Sequence, residues 1–183
     1  MALTYSPEGS LGSACPDFKL PSVDGKTYCR ADFTKAPALV IMFICNHCPY
    51  VQAIEDRLLQ LVRDFPQVSF VGICANDASE HHEDSPASLL ARWQSKNYGF
   101  PYLLDEDQSV ARSFGAVCTP DLYVYDQQLK LRYRGRLDDS WRNPAHVRAQ
   151  ELRAALEQIL IGKNPKSEQN PSMGCSIKWK KGD

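Results

Sequence analysis

Ala38-Leu-Val-Ile-Met-Phe-Ile44 is an unbroken apolar run of strand length, and its lack of alternation predicts a strand buried on both faces. Cys45-Asn-His-Cys-Pro49 interrupts it. Val51, Ile54, Leu58, Leu61 and Val62 then recur at helical steps until Phe65-Pro66 stops the pattern. Val68 to Cys74 reads as a second buried strand. Ala75 to Pro86 is a polar loop containing Glu80-His-His-Glu-Asp84, and Pro86 opens a second helix running to Asn97. A short strand is expected over Tyr102 to Leu104 and a helix over Ser109 to Phe114. Asp121 to Tyr125 and Leu131 to Arg134 flank Asp126-Gln-Gln as a hairpin. Pro144 to Ile161 reads as a last amphipathic helix with Val147, Leu152, Leu156, Ile159 and Leu160 inward. Asp17 to Tyr28 is a candidate edge hairpin. The order predicts one α/β domain over residues 1–162. Residues 163–183 show no periodicity and read as a polar tail packing on the domain or extending from it.

Composition narrows the function classes. The chain has 183 residues, 43% hydrophobic and 23% charged, as in an ordinary globular protein. A net charge of -1 gives no electrostatic footprint for nucleic acid or an anionic membrane. The longest apolar run, Ala38 to Cys45, has eight residues, whereas about 20 are needed to span a bilayer. Met1 to Ser13 has neither a basic start nor an apolar stretch, so a cytoplasmic location is expected.

The seven cysteines are Cys15, Cys29, Cys45, Cys48, Cys74, Cys118 and Cys175. The count is odd and only Cys45 and Cys48 are neighbours, unlike a disulfide-stapled secreted scaffold. Cys45-Asn46-His47-Cys48 lies where a buried strand turns into a helix. The helix N-terminus stabilises a thiolate, and the two-residue spacing lets a second thiol close a reversible disulfide. The competing readings are half of a zinc site or an incidental pair. Structural zinc wants a second ligand pair, and none is suitably spaced; His81-His82 reads as solvated loop.

With this motif and Val117-Cys118-Thr119-Pro120 just before a strand, the chain resembles the thioredoxin superfamily, more narrowly its peroxiredoxin-like (AhpC/TSA-type redoxin) branch, over Gly12 to Ile161. The resemblance implies a thioredoxin-like fold, a central mixed sheet with helices on both faces and an N-terminal hairpin extension. It implies a Thr119-cis-Pro120 segment lying against the cysteines and docking substrate backbone. His47 takes the place of the histidine that tunes disulfide isomerases and strong thiol oxidants, beside a Cys45 thiolate.

The departures are informative. Ala38 to Ile44 carries no acid, so a deep proton acceptor is absent or supplied from elsewhere. If Cys48 is laid on the peroxidatic cysteine, Cys45, Ile41 and Pro120 fall on the Thr, Pro and Arg slots that polarise a peroxide. This favours a cytosolic thiol–disulfide oxidoreductase, with Cys45 as the more exposed attacking thiol and Cys48 resolving. The alternatives are a thiol peroxidase, in which Cys48 attacks and Cys45 resolves, and a copper- or zinc-binding module.

Cys118 and Cys175 are candidate third thiols. Cys118 otherwise packs in the core, and Cys175 either resolves from a distance or sits in a segment that packs Ile177 and Trp179. Cys15, Cys29 and Cys74 read as inert, Trp93 and Trp141 as packing anchors. Arg134-Gly-Arg136 and Asp138-Asp139 are a candidate binding rim or, more ordinarily, solvated charge. The dithiol itself carries two electrons, so no bound cofactor is implied. The expected partners are a protein or small-molecule disulfide, or a peroxide, and a thioredoxin- or glutathione-type reductant.

Overall fold

The computed structural model describes residues 3–79 and 81–181; the outermost ends of the two expected ranges, and Glu80, lie outside them. In chain order the elements are β1 (Leu3–Tyr5), β2 (Lys19–Pro21), β3 (Thr27–Cys29), β4 (Ala38–Phe43), α1 (Pro49–Asp64), β5 (Ser69–Cys74), α2 (Pro86–Lys96), β6 (Tyr102–Leu104), α3 (Ser109–Phe114), β7 (Cys118–Thr119), β8 (Asp121–Asp126), β9 (Leu131–Gly135), α4 (Glu151–Leu160) and β10 (Met173–Ser176). The central sheet runs β6-β5-β4-β8-β9. Its β4, β5 and β6 are parallel, whereas β8 joins β4 and β9 joins β8 antiparallel. The mixed sheet is thioredoxin-like.

β4 is buried at every position because it is central and covered on both sides. Val40 and Met42 meet Ile54, Leu58, Leu89, Leu152 and Leu156 from α1, α2 and α4. Leu39, Ile41 and Phe43 meet Phe18, Phe33 and the α3 residues Val110, Ala111 and Phe114 on the opposite face. Alternation along the strand thus divides one apolar run between two cores. β2 and β3 form the N-terminal hairpin, with Leu20 opposite Tyr28. No helix among the described residues is long and apolar enough to cross a membrane.

Three expectations need correction. The last helix starts at Glu151, not Pro144: Pro144–His146 is a separate 3-10 turn capped by Asn143. Arg148 N–H to the Asp139 carboxylate and Asp139 N–H to the Ala149 carbonyl then hold the intervening chain extended. The tail contributes β10, which lies antiparallel between β1 and β7. A four-residue strand with Gly174 inside it leaves no readable periodicity. Finally, Arg134 is not solvated rim: it is buried, hydrogen-bonded to Asp121 at 2.8 Å and stacked over Tyr123. Arg136 pairs with Glu151, and Asp138 with Arg57.

Candidate active site

β4 ends at Phe43 and α1 starts at Pro49, so Cys45 to Cys48 form the turn between them. Cys48, not Cys45, is the N-cap of α1, and Pro49 at the first helical position leaves no orphan N–H there. The cis Thr119-Pro120 bond sets Thr119 against both sulfurs. Its hydroxyl is 3.3 Å from Cys45 Sγ, and its carbonyl accepts from the Cys48 thiol at 3.1 Å. All seven cysteines are reduced.

The expected contrast between an exposed Cys45 and a buried Cys48 is absent: the residues are 1% and 0% exposed. The lower pKa of the pair falls on Cys48. Its hydrogen bond with Cys45 pulls its pKa down to about 5 against desolvation, helped by the Val51 amide, while the Thr119 carbonyl favours the protonated thiol. Burial, the bond to Cys48 and the Asp84 charge push Cys45 well above its ordinary value. This ordering favours Cys48 over Cys45 as the thiolate, and Cys48 is also the residue that caps α1, three residues past Cys45.

Asp84 supplies the acid that β4 lacks. It comes from the polar loop before α2, and its side chain is fully buried. Its Oδ1 accepts the Asn46 and His47 amides at 2.7 and 3.1 Å. Its Oδ2 accepts Asn76 Nδ2 at 2.8 Å and faces His47 Nδ1 at 2.5 Å. Those donors hold the carboxylate below its ordinary pKa despite burial. His47 Nδ1 is also 3.6 Å from Cys45 Sγ. With the Nδ1 proton committed to Asp84, His47 orients the turn. Its Nε2 has no hydrogen-bond partner among the described residues. His81, expected to be solvated, stacks on the His47 ring at 4.2 Å and 7°.

Among the described residues, Cys45, His47 and Asp84 are also grouped closely enough to hold a metal. Two ligands on one tetrahedral ion with bonds of about 2.0–2.1 Å sit more than 3 Å apart. The 2.5 Å separation of His47 Nδ1 and Asp84 Oδ2 is that of a hydrogen bond.

Pro120 borders a shallow recess with Tyr50, Trp141 and Met173. Trp141 packs on Tyr50 at 4.3 Å there, while Trp93 donates to the Phe100 carbonyl inside the fold. The edge of β7 that was expected to dock substrate is already paired with β10, Cys175 opposite Thr119. Gly174 is required there, since a Cβ would run into the Thr119 carbonyl oxygen. Cys118 points its sulfur toward the Pro120 carbonyl at 3.8 Å, and burial raises its pKa. Burial likewise lifts Cys15 and Cys74 to about 12.

The AhpC/TSA family model matches residues 11–134. The chain belongs to the AhpC/TSA family. It is a redoxin, an oxidoreductase in general terms. Its sequence is 44% identical to an uncharacterized conserved protein from Geobacillus kaustophilus, whose crystal structure superposes with a TM-score of 0.94 over 100% of this chain and 99% of that one. A hypothetical protein from Sinorhizobium meliloti 1021 is 38% identical, with a TM-score of 0.92 over 98% and 100% of the two chains. A secreted disulfide oxidoreductase from Mycobacterium tuberculosis shares the fold at 19% identity, TM-score 0.58, over 79% of this chain and 95% of its own. No curated protein matches the chain.

Proposed function

We propose that this redoxin is a thiol–disulfide oxidoreductase of the cytosol, working through a Cys45–Cys48 dithiol/disulfide couple with Cys48 as the nucleophile. The observation that carries the reading is the placement of both thiols against Thr119 at the β4–α1 turn; the lowered pKa of Cys48 and the raised pKa of Cys45 support Cys48 as the attacking thiol. In a disulfide substrate RS–SR′, Cys48 attacks one sulfur and R′S⁻ leaves with a solvent proton. Cys45 then attacks Cys48 Sγ, RS⁻ departs with the Cys45 proton, and the intramolecular disulfide closes. A thioredoxin- or glutathione-type reductant would reverse the cycle.

One observation favours a second reading. A thiolate at Cys48 is also what a peroxidase needs, with Cys45 resolving the sulfenic acid. Against it, Arg134 is engaged with Asp121 and the Gly115 carbonyl rather than with the thiols.

The test combines glutathione disulfide or hydrogen peroxide with reduced protein. Exchange predicts that the disulfide closes Cys45–Cys48 at a rate peroxide does not match at equal concentration. The Cys45→Ser/Cys175→Ser double variant should hold glutathione on Cys48, located by peptide mass. Glutathione captured on Cys45 in the Cys48→Ser/Cys175→Ser variant instead would restore the opposite roles. Faster oxidation by peroxide, with sulfenic acid at Cys48, would replace the proposed activity with peroxidase.

A further inference from the structure

Strand β10 brings a third sulfur to the same place from the other end of the chain. In the antiparallel pair of β10 with β7, Cys175 lies directly opposite Thr119 and Ser176 opposite Cys118. Side chains of directly opposed residues share one face of the ladder, and consecutive residues alternate between faces. Thr119 is the residue that touches Cys45 and Cys48, so its partner Cys175 faces that side, while Cys118 turns toward Pro120. Cys175 is 1% exposed and packs in one core cluster with Cys45 and Cys48. Burial raises the pKa of its thiol to about 12, so Cys175 holds its proton at neutral pH. Close packing at Gly174 fixes this placement.

We propose that Cys175 is a third redox thiol of the site, exchanging with Cys48 so that the disulfide passes from Cys45–Cys48 to Cys48–Cys175. This rests on the exchange reading of the Cys45–Cys48 pair. In the step, Cys175 Sγ attacks Cys48 Sγ, the Cys48–Cys45 bond breaks, and the Cys175 proton ends on Cys45. Two thiol sulfurs and one disulfide exchange places, and no oxidant beyond the disulfide substrate is consumed.

Glutathione disulfide is added to the full-length reduced protein, to Cys45→Ser and to Cys175→Ser. Remaining thiols are alkylated and the linked peptides mapped. The expected result is that Cys45→Ser loses both the Cys48 and Cys175 thiols and yields a Cys48–Cys175 peptide pair. Cys175→Ser should yield Cys45–Cys48 alone, and the unmodified chain both pairs. The proposal falls if Cys45→Ser keeps glutathione on Cys48 with Cys175 fully alkylatable, while Cys175→Ser still closes Cys45–Cys48 and so shows a competent site. Failure of Cys175→Ser to close its pair, with Cys48–Cys175 still forming in Cys45→Ser, overturns the exchange reading and leaves the third thiol standing. A Cys175→Ala variant that also closes Cys45–Cys48 excludes a folding defect in the serine variant.

Discussion

Asp84 and Asp121 are two carboxylates with fully buried side chains, one behind the Cys45–Cys48 turn and the other at the start of β8. Asp84 is held below its ordinary pKa, whereas desolvation keeps Asp121 above its own even though Arg134 pulls it down. Donor count separates them. Asp84 meets two backbone amides, an imidazole and an amide side chain, spread over both oxygens. Asp121 receives Arg134 and Tyr123 on Oδ2, and its Oδ1 has no hydrogen-bond partner among the described residues. A carboxylate surrounded by donors stays charged in the interior and projects its field, here onto Cys45. One that depends on a single cation serves mainly to fasten Arg134 to the strand.

The largest way to break that comparison is Arg134→Leu. It leaves the Asp121 charge buried without its cation and is expected to cost about 3–5 kcal/mol in urea unfolding. The Cys48 thiolate, followed by its ultraviolet absorbance, should still titrate near 5, since Arg134 is not among the groups that set it. A stability change within about 1 kcal/mol would show the pair to be dispensable.

Asp84→Asn comes next. An amide retains one acceptor but aims an NH2 at two donors, His47 Nδ1 and Asn76 Nδ2. About 2–3 kcal/mol should be lost, the scale of hydrogen bonds to a charged group. The distinguishing effect is electrostatic: without the Asp84 charge the pKa of Cys45 falls toward its ordinary value, so its alkylation begins at lower pH. An unchanged Cys45 profile would remove Asp84 from the site.

These two carboxylates also show what a sequence makes legible. The strand Ala38 to Ile44, the thiol pair and Thr119-Pro120 could be read because each is local: an apolar run, a two-residue spacing, an X-Pro before a strand. Asp84 could not. It lies 38 residues from Asn46 in the chain, and on its own Glu80-His-His-Glu-Asp84 has the look of any solvated loop. The signal available was the missing acid in β4, which calls for one supplied from elsewhere without saying where. Arg134 was hidden likewise, since a charge after a hairpin is normally solvated and only the β8–β9 pairing shows its partner across the ladder. β10 carries too few residues for a period, and its partners lie at the opposite end of the chain and beside Pro120.

A pH series on the reduced protein sharpens the electrostatic side. Cys48 falls from its ordinary 9.0 to about 5 on folding. Between those values the unfolded chain binds a proton that the native state does not, so stability rises with pH across the window. It is lost as pH falls toward 5. The difference between wild type and Cys48→Ser should therefore grow from pH 5 to pH 9 by at most about 1.4 kcal/mol per unit. Above 9 the unfolded Cys48 is ionised as well and the difference levels off, while the stability of both proteins falls because folded Cys45 keeps the proton its unfolded counterpart releases. A flat difference across the window would place the thiolate elsewhere.

The smallest effect belongs to His81→Ala. The His81 side chain meets the Asp84 region through its parallel stack on His47, at 4.2 Å, while its backbone carbonyl accepts the Asp84 amide at 2.9 Å, a bond that alanine would keep. Aromatic pairs contribute about 0.5–1.5 kcal/mol beyond their buried area, and a half-exposed partner belongs at the lower end of that range. His47 is meanwhile held by two bonds to Asp84, through its amide and its ring. Removal of the stack should thus lower stability slightly while leaving the Cys48 titration and the Cys45 alkylation profile in place. The contrast with Asp84→Asn decides which contact orients the turn. If His81→Ala moved the Cys45 profile as far as Asp84→Asn does, the stack rather than the carboxylate would be holding His47. If it moved neither profile, Asp84 alone would account for the orientation of His47 and for the charge felt at Cys45.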